Sequence, residues 1–478
     1  MKAFITLIVL LASLLPLKGG AEEIIQKGEL LSLQRCIEIA LMKNPAILAA
    51  KGTVDVNESR VGQSKSTYYP QINWTGGYSR ILPVSGRSFT GSQGGTFGTG
   101  DVVSSSSAFD QYTTSFTLSQ NIYDFGRTST QVQIQNLNYD SSKSDFDNVS
   151  EQVILSVKQT YYAVVQAKYN RLVVEDTVKQ TQQQLEQAKG FYEVGTRPKF
   201  DVIRAEVNVS AAKFNLIRAE NDFRIAVLNL NNAMGVPGAP EYTLSEDISF
   251  ARYEITFEEA LSRAYENRPD LKSIVAQRQA AEVGIDSAKT GYYPFLTGNA
   301  SYNWAGEKID QMDKGWNVGA VISFPIFSGF LTKYQVQEAR ANLNVLKANE
   351  ESLRQAVFLE VEQAYLTLRA AEEAIPTAKL GVEQAQENLD IANGRYAAGV
   401  GNPIEVTDAE VSLANARLAH VQALYADKVA QANLEKAMGM RCRRYSLPAL
   451  VFLSSSRQLQ RSLSSGTREA RRSIRPRR

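Results

Sequence analysis

The chain holds few residues that could perform catalysis. His420 is the only histidine, and the two cysteines, Cys36 and Cys442, lie near opposite ends of the 478 residues. No histidine, cysteine and carboxylate residues have the spacing of a metal site. The glycine-rich stretch GSQGGTFGTG lacks the lysine and the following helix of a phosphate-binding loop. We therefore expect no enzyme, no cofactor, no catalytic or metal-binding residue and no disulfide framework.

Two tyrosine–proline motifs carry a different chemistry. SKSTYYP occupies residues 64–70, and AKTGYYP occupies residues 288–294. Proline ends a helix because its nitrogen cannot donate a hydrogen bond, and tyrosine suits a water–lipid boundary, with its ring buried and its hydroxyl wet. We predict that Tyr68, Tyr69, Tyr292 and Tyr293 lie at a membrane interface. Ordinary aromatic packing is the alternative for such pairs.

The two motifs belong to a repeat that runs along the chain. At an offset of 224 residues, Asn44-Pro45 faces Arg268-Pro269; beyond the motifs the offset falls to 204, and Met234-Gly235 faces Met438-Gly439. Long-range self-similarity of this kind indicates a duplication. We predict repeat 1 at residues 22–240 and repeat 2 at residues 241–440. They differ mainly by a glycine- and serine-rich insertion within residues 80–111.

Both ends of the chain differ in composition from the repeats. Lys2, an apolar run and small residues make residues 1–21 a secretory signal peptide, although an uncleaved anchor helix is the alternative. Residues 441–478 hold 11 Arg and one Glu, which predicts a disordered tail, a basic interaction arm or an out-of-frame extension. The tail contributes +10 and the leader +2 to a total of +2, so the rest carries −10. An acidic body argues against a nucleic-acid partner.

Each repeat contains a long helical pattern. Apolar residues spaced by three and four predict helices of about 65 residues, ~100 Å at 1.5 Å per residue, with coiled-coil packing. Pro376 is expected to interrupt and kink the second. Each helix ends at a glycine turn, at about residues 191–201 and 395–408, where we expect Thr196 or Asn402 to cap the returning helix and a proline to begin it.

After each tyrosine–proline motif the period changes to two. Apolar residues alternate with Ser, Thr, Asn and Gln, which predicts β-hairpins at about residues 71–123 and 295–327. Strands of about ten residues with one apolar face are typical of a membrane β-barrel wall. A half-buried antiparallel sheet on a water-soluble core is the alternative.

Four strands are too few to close a barrel. Open sheet edges are not tolerated in a bilayer, and the smallest common barrels have eight strands. The chain must therefore share its strands in an oligomer, and counting alone permits a dimer, a trimer or a tetramer.

Residues 30–440 resemble the TolC-like family of outer-membrane efflux and secretion ducts. The resemblance rests on both tyrosine–proline motifs and on segments that occur in the same order in both repeats: Asn44-Pro45, LSQNIYDFGR, ISFPIFSGF, FYEVGTRPKFDVIRAE and RYAAGVGNPIEVTDAE. It implies a homotrimer with a twelve-stranded β-barrel above a periplasmic helical barrel. It also implies docking on a periplasmic adaptor (membrane fusion protein) and an inner-membrane transporter. The basic tail and the length of the loop at 85–110 depart from the family pattern.

The same resemblance implies the functional residues. The family narrows at acidic rings, and the matching positions are Asp201, Glu405 and Asp408. A structural role is the alternative for Glu405, which follows Asn402 at the spacing of a capping box. The adaptor-contact positions lie in the two glycine turns: Val194, Gly195, Thr196, Arg197, Gly399, Val400, Gly401 and Asn402.

Two functions remain at this point. The first is an outer-membrane exit duct of a tripartite efflux pump or type I secretion system in a Gram-negative bacterium, passive and powered from the inner membrane. The second is a periplasmic coiled-coil adaptor whose strands belong to a water-soluble domain. Matched helix sets and membrane-type hairpins favour the duct. The polar residues expected to line the tunnel are compatible with a drug, a metal or a secreted protein as the cargo.

Overall fold

A computed structural model describes residues 25–82, 108–245 and 252–440. The predicted signal peptide, the tail at 441–478, Cys442 and most of the loop at 85–110 lie outside these ranges. Within them Cys36 is a buried free thiol, and burial raises its pKa to about 12.

The described residues contain eight α-helices and six β-strands. The helices are α1 (Leu33–Lys43), α2 (Pro45–Lys65), α3 (Arg127–Glu193), α4 (Lys199–Met234), α5 (Phe257–Asn267), α6 (Pro269–Lys289), α7 (Leu331–Ala397) and α8 (Pro403–Ala437). The strands are β1 (Leu30–Leu31), β2 (Gln71–Ile81), β3 (Phe109–Tyr123), β4 (Thr243–Leu244), β5 (Phe295–Gly306) and β6 (Asp313–Ser323). No described helix has a stretch apolar and long enough to cross a bilayer.

The elements form two series of matching length. Helices α3 and α7 each have 67 residues, and α2 and α6 each have 21. Helix α4 has 36 residues and α8 has 35. The expectation that Pro376 interrupts the second long helix is wrong, because α7 continues through it. A proline removes one hydrogen bond of the ladder, and the remaining bonds of a helix this long maintain it.

The described residues divide into two compact units. We call one the tip unit; it consists of residues up to Leu48, Ser150–Ala260 and those from Val361 onward. The other, the sheet unit, consists of Ala49–Val149 and Leu261–Glu360. Each long helix contributes residues to both.

The sheet unit is built on four antiparallel strands in the order β2-β3-β5-β6. Their register keeps most of the large apolar residues on one face. Trp74 pairs with Phe116, Phe116 with Tyr302, and Tyr302 with Trp316, so four aromatic side chains form one row across the sheet. Because side chains alternate along a strand, the opposite face carries most of the Ser, Thr, Asn and Gln residues.

The apolar face of this sheet is not covered by the described chain. Trp316 is 74 % exposed, Val318 72 % and Ile322 72 %. Strands β2 and β6 each have one edge without a partner strand among the described residues. An uncovered apolar face with two open edges differs from a sheet packed on its own core.

A tight turn leads from the sheet into each long helix. Phe125 and Gly126 have positive φ angles of 52° and 92°, and Gly329 and Phe330 have 60° and 66°. The Asp124 carboxylate accepts hydrogen bonds from the Gly126 N–H at 3.2 Å and from the Thr128 N–H at 2.9 Å. Asp124 therefore satisfies free amide groups at the start of α3.

In the tip unit, β1 pairs with β4 and α1 packs on α4. Leu31, Ile37, Leu230, Met234 and Leu434 are almost fully buried. The Asn44 side chain accepts from the Ala46 N–H at 2.9 Å and donates to the Ala233 carbonyl at 2.9 Å. Asn44 thus caps α2 and ties it to α4, which explains why an Asn-Pro pair begins this helix.

Candidate functional site

The two turns that join the long helices to the returning helices have the same backbone structure. We call residues 194–198 the first tip turn and 398–402 the second. Gly195 and Gly399 have φ angles of 78° and 79°. The Thr196 N–H donates to the Phe191 carbonyl at 3.0 Å, and the Val400 N–H donates to the Arg395 carbonyl at 3.1 Å. Both turns therefore end a helix with a left-handed glycine and a backward hydrogen bond.

The helix caps after the two turns differ. Asn402 caps α8, since its Oδ1 accepts from the Ile404 N–H at 3.0 Å and Pro403 is the first helical residue. Thr196 does not cap α4, contrary to our expectation. Its hydroxyl donates to the Phe191 carbonyl at 2.9 Å, and Pro198 precedes the helix without a side-chain cap. The last carbonyls of a helix have no partner within it, and the Thr196 hydroxyl satisfies one of them at the end of α3.

Arg197 joins the two tip turns. Its guanidinium donates to the Gly401 carbonyl at 3.1 Å and lies 5.3 Å from the centre of the Tyr396 ring. Gly401 is buried, and a Cβ added there would lie 2.7 Å from the Tyr396 nitrogen. A glycine is therefore required at this position, since only hydrogen fits against the neighbouring backbone.

A small hydrophobic core lies directly behind the second tip turn. It consists of Leu389, Ala392, Tyr396, Val406, Ala409 and Leu413. Phe191 from the end of α3 packs edge-on against Tyr396, with ring centres 5.6 Å apart. Burial and the Asp201 charge raise the pKa of Tyr396, and Arg197 opposes this shift. The phenol thus stays neutral beside a carboxylate and a guanidinium.

The three predicted constriction carboxylates lie in different surroundings. Asp201, in the first turn of α4, is 9 % exposed and lines a small cavity with Tyr396, Arg204 and Thr407. Asp408 is exposed on α8. Glu405 is also exposed, and its carboxylate lies 3.3 Å from the Arg395 Nε. Asp201 is therefore an interior group of the tip, whereas the other two are accessible.

Two buried acids on α8 were not singled out from the sequence. Glu410 is 6 % exposed, and desolvation raises its pKa to about 7. Asp427 is fully buried, and its pKa is raised by desolvation and by the neighbouring Glu372 charge, while Lys428 and a hydrogen bond from Gln431 oppose the rise. The available signal was position: Glu410 falls four residues after Val406 and three before Leu413, on the buried stripe of the helix.

Each tip presents exposed apolar side chains. Val194 is 72 % exposed in the first turn, and Val400 is 73 % exposed in the second. Phe200 follows the first turn and is 66 % exposed. Exposed valine and phenylalanine at a chain reversal are typical of a contact surface.

The four tyrosines predicted at a membrane interface lie at the base of the sheet. In each motif a short 3₁₀ turn, Ser66–Tyr68 or Thr290–Tyr292, ends the polar helix and a strand begins after the proline. Tyr68, Tyr69, Tyr292 and Tyr293 are all at least half exposed. Phe125 stacks on Tyr293 with ring centres 5.5 Å apart. The motif is thus a junction between helix and strand that is lined by aromatic rings.

Comparison with known sequences identifies the family of this chain. The outer membrane efflux protein family matches residues 36–236 and 260–440. The chain belongs to this family. The family's members are outer-membrane ducts for efflux or secretion, so the protein is an outer-membrane exit duct and belongs to a family of channels.

Individual relatives are distant but span most of the chain. The probable efflux pump outer membrane protein TtgC of Pseudomonas putida is 23 % identical over 421 residues, covering 85 % of this chain and 83 % of its own. The outer membrane protein TolC of Escherichia coli is 23 % identical over 430 residues, covering 85 % and 82 %. The crystal structure of the Campylobacter jejuni CmeC outer membrane channel matches with a TM-score of 0.71 at 17 % identity, covering 85 % of both chains. The fold is thus the fold of outer-membrane channels.

Proposed function

We propose that three copies of the protein form the exit duct of a tripartite efflux pump or a type I secretion system in a Gram-negative outer membrane. Three four-stranded sheets would make a twelve-stranded barrel, and the helices would form a periplasmic barrel. The observation that supports this most is the sheet, with its exposed apolar face and its two open edges. A bilayer removes the cost of the exposed face, and neighbouring copies satisfy the edges.

Edge pairing between copies is consistent with the strand directions. Strands β2 and β6 each have 11 residues and run in opposite directions. The β6 strand of one copy can therefore pair antiparallel with the β2 strand of the next. Such pairing keeps the apolar face continuous when the register shifts by an even number of residues.

Exposed apolar residues on the helices support the same assembly. Helix α4 carries a stripe of exposed side chains at spacings of three, four, seven and eight residues: Phe200, Ile203, Val207, Phe214, Ile217, Ile225 and Leu228. Helix α7 exposes Leu366, Leu380 and Ile391 in the same unit. An apolar stripe at these spacings packs into a coiled-coil seam, and we assign the α7 stripe of a second copy to it.

The partners follow from the tips and from the relatives. TtgC is named as an efflux pump protein, and pumps of this kind need a connection to the inner membrane. We assign the two tip turns, with exposed Val194 and Val400, to contact with a periplasmic adaptor that links the duct to an inner-membrane transporter. Glu405 and Asp408 of three copies would form an acidic constriction that favours cations, with Asp201 as an interior residue behind it.

The ends and the repeat complete the proposal. Residues 1–21 would direct export and be removed, and residues 22–240 and 241–440 would be the two halves of a duplication. The matching helix lengths support this division. We assign no role to residues 441–478. The periplasmic adaptor alternative lacks support, because an adaptor has no use for an uncovered four-stranded sheet.

A pair of substitutions on neighbouring strand positions tests the membrane sheet. Val318 lies on the apolar face of β6, and Asn317 lies on the opposite face. We expect Val318→Arg to prevent assembly in the outer membrane, because a cation on the lipid face costs about 2–4 kcal/mol per copy near the bilayer midplane. Asn317→Arg should assemble normally. The measurements are membrane fractionation and native mass spectrometry of the extracted complex.

Two results would contradict the proposal, and a third would correct the number of copies. Wild-type protein recovered as a water-soluble monomer would overturn the duct. Equal membrane recovery of Val318→Arg and Asn317→Arg would show that the sheet does not face lipid. A mass of two or four copies would keep the barrel and correct the stoichiometry.

A further inference from the structure

An open cavity of about 440 Å³ lies in the sheet unit, where the strands meet the helices. Its walls come from the start of α3, the last turn of α6 with the following 3₁₀ turn, and the start of α7. Arg127, Ser287, Thr290, Gly291 and Gln335 line it. Neither the family comparison nor the proposed duct uses this cavity.

The walls of the cavity are small and polar. Thr290 is buried, and its hydroxyl donates to the Ser287 carbonyl at 2.6 Å. Ser287 also lines the space, and its hydroxyl can serve as a donor. A Cβ added to Gly291 would lie 2.9 Å from Thr332 Cγ2. Glycine thus permits a close approach of α7. The resulting space is wide enough for a tetrahedral oxyanion and contains no carboxylate among its lining residues.

Arg127 is the only ionic group that lines the cavity. Its guanidinium carbon lies 5.7 Å from the centre of the Phe295 ring. No carboxylate of the described residues forms an ion pair with it. The ring contact uses none of the hydrogen-bond donors of the guanidinium, so these donors are available to a ligand.

The acidic residues near Arg127 are already engaged. The Asp124 carboxylate accepts from the Gly126 and Thr128 N–H groups and from the Asn121 amide at 2.6 Å. Asp286, next to Ser287, is paired with Lys289 at 2.8 Å. Neither carboxylate is ion-paired with Arg127, so the guanidinium keeps its donors for a ligand.

The ring beneath Arg127 identifies the face on which the guanidinium lies. Phe295 pairs with Ser323, whereas the next residue, Leu296, pairs with Ile322 on the apolar face. Phe295 therefore belongs to the polar face of the sheet, together with Thr297, Asn299 and Ser301. The charged side chain on this face of the described strands is Asp313, at the far end of β6. Arg127 lies at the opposite, helix-side end.

We propose that Arg127 and this cavity form a binding site for a phosphate-like oxyanion at the helix-side end of the polar face. This inference rests on the proposed function, in which the polar face lines the duct and three copies present three such sites. Guanidinium binds two oxygens of an oxyanion through parallel N–H donors. The Ser287 hydroxyl and the Gln335 amide supply further donors. The site would favour cargo with phosphate, sulfate or similar groups.

The direct test is calorimetric titration of the detergent-solubilised full-length protein with inorganic pyrophosphate. We expect saturable binding that is at least about tenfold weaker in Arg127→Gln. Arg127→Lys keeps the positive charge but lacks the planar pair of parallel N–H donors. Its pyrophosphate affinity should therefore lie between those of the wild type and Arg127→Gln. Lys143→Gln is the matched control, because it removes one cation from the same helix at a residue paired with Asp140. Equal affinity in wild type and Arg127→Gln would overturn the site.

A second arm distinguishes the source of the oxyanion. The same titration is repeated in nanodiscs of phosphatidylcholine and of phosphatidylglycerol. Pyrophosphate affinity that is unchanged by the lipid indicates soluble cargo, while competition by phosphatidylglycerol, lost in Arg127→Gln, indicates a lipid headgroup. Either result retains the oxyanion site.

Planar-bilayer recordings separate this inference from the proposed function. In a conducting duct, pyrophosphate should block the current, and Arg127→Gln should need about tenfold more of it. Conducting channels with an unaltered block would overturn the site and leave the duct intact. Protein that forms no channel but retains Arg127-dependent binding in the calorimeter would overturn the duct and leave the site intact.

Discussion

The two tip turns have one backbone structure and different chemistry. Both end a 67-residue helix at a left-handed glycine with the same backward hydrogen bond. The first turn supplies a cation, Arg197, and the second supplies the carbonyl and the ring that receive it, at Gly401 and Tyr396. Related halves of one chain have thus become donor and acceptor of a single contact.

The acids near the tips show the same divergence. Glu206 and Glu410 are 204 residues apart, at matching positions of α4 and α8. Glu206 is exposed, while Glu410 is buried. In contrast, Asp201 is buried while its counterpart Glu405 is exposed. Equal backbone turns therefore do not imply equal roles, and paired substitutions at matching positions can separate the roles.

The largest effect is expected at Gly401. In Gly401→Ala the new methyl group would lie 2.7 Å from the Tyr396 nitrogen and 2.8 Å from the Arg395 carbonyl carbon. Backbone atoms cannot move away as a side chain can, so we expect a loss of about 3 kcal/mol or more of unfolding free energy. Differential scanning calorimetry of the detergent-solubilised protein measures it as a lower Tm.

Gly394→Ala is the control for this prediction. Gly394 lies within α7, and a Cβ there would meet nothing within 4 Å. Alanine should raise stability by about 0.5–1 kcal/mol, because glycine is the poorer helix former. If both variants had the same Tm, the close contact between the second tip turn and α7 would be wrong.

Glu410→Gln should give a gain that depends on pH. The folded pKa of about 7 is above the ordinary value of 4.5, so the folded state holds its proton more tightly than the unfolded chain. Stability should fall as the pH rises from about 4.5 to 7, and then level off. Glu410→Gln removes this loss, and we expect a gain of about 2–3 kcal/mol at pH 8 that disappears near pH 4.

Glu206→Gln sharpens this comparison. The same change on exposed Glu206 should leave stability within about 0.5 kcal/mol at every pH. Tm is measured for both variants from pH 4 to pH 8. A gain of equal size in the two variants, or a gain at Glu410 that does not change with pH, would contradict the burial argument.

The repeated helices and strands could be predicted from the sequence better than the contacts between them. Helix and strand periods predicted α3, α7 and both hairpins, because the spacing of apolar residues alone shows which of them share a face of an element. Asn402 as a cap was also predictable, since capping is local. Pro376 was misjudged because a single residue gives no measure of the hydrogen bonds around it.

The tip contacts were less predictable for a physical reason. Arg197 contacts the Tyr396 ring and the Gly401 carbonyl, about 200 positions further along the chain. Thr196 has two local choices, since it can close α3 or open α4, and residue type alone does not decide between them. Burial of Glu410 likewise requires a neighbouring helix. Spacing indicates which residues share a face, and only the packed structure indicates what covers that face.

A moderate effect is expected from removing the donor of the tip contact. Arg197→Gln loses a charge-assisted hydrogen bond and a cation–π contact, each about 1 kcal/mol at a partly exposed site. In the proposed duct this would loosen the tips and raise single-channel conductance. Lys199→Gln, an exposed cation two residues later, is the control. Equal conductance in the two variants would assign Arg197 to packing alone.

The smallest effect is expected from the exposed acids. Asp408→Asn and Glu405→Gln should each lower the cation-to-anion permeability ratio about twofold, because exposed charges are screened by salt. The drop should be smaller at Glu405, whose charge is partly offset by Arg395 at 3.3 Å. Asp201→Asn, inside the tip, should change Tm more than selectivity. The measurement is the reversal potential under a KCl gradient. If Asp201→Asn changed selectivity while Asp408→Asn did not, the inner and outer acids would have exchanged roles, and the lining of the constriction would come from the first repeat.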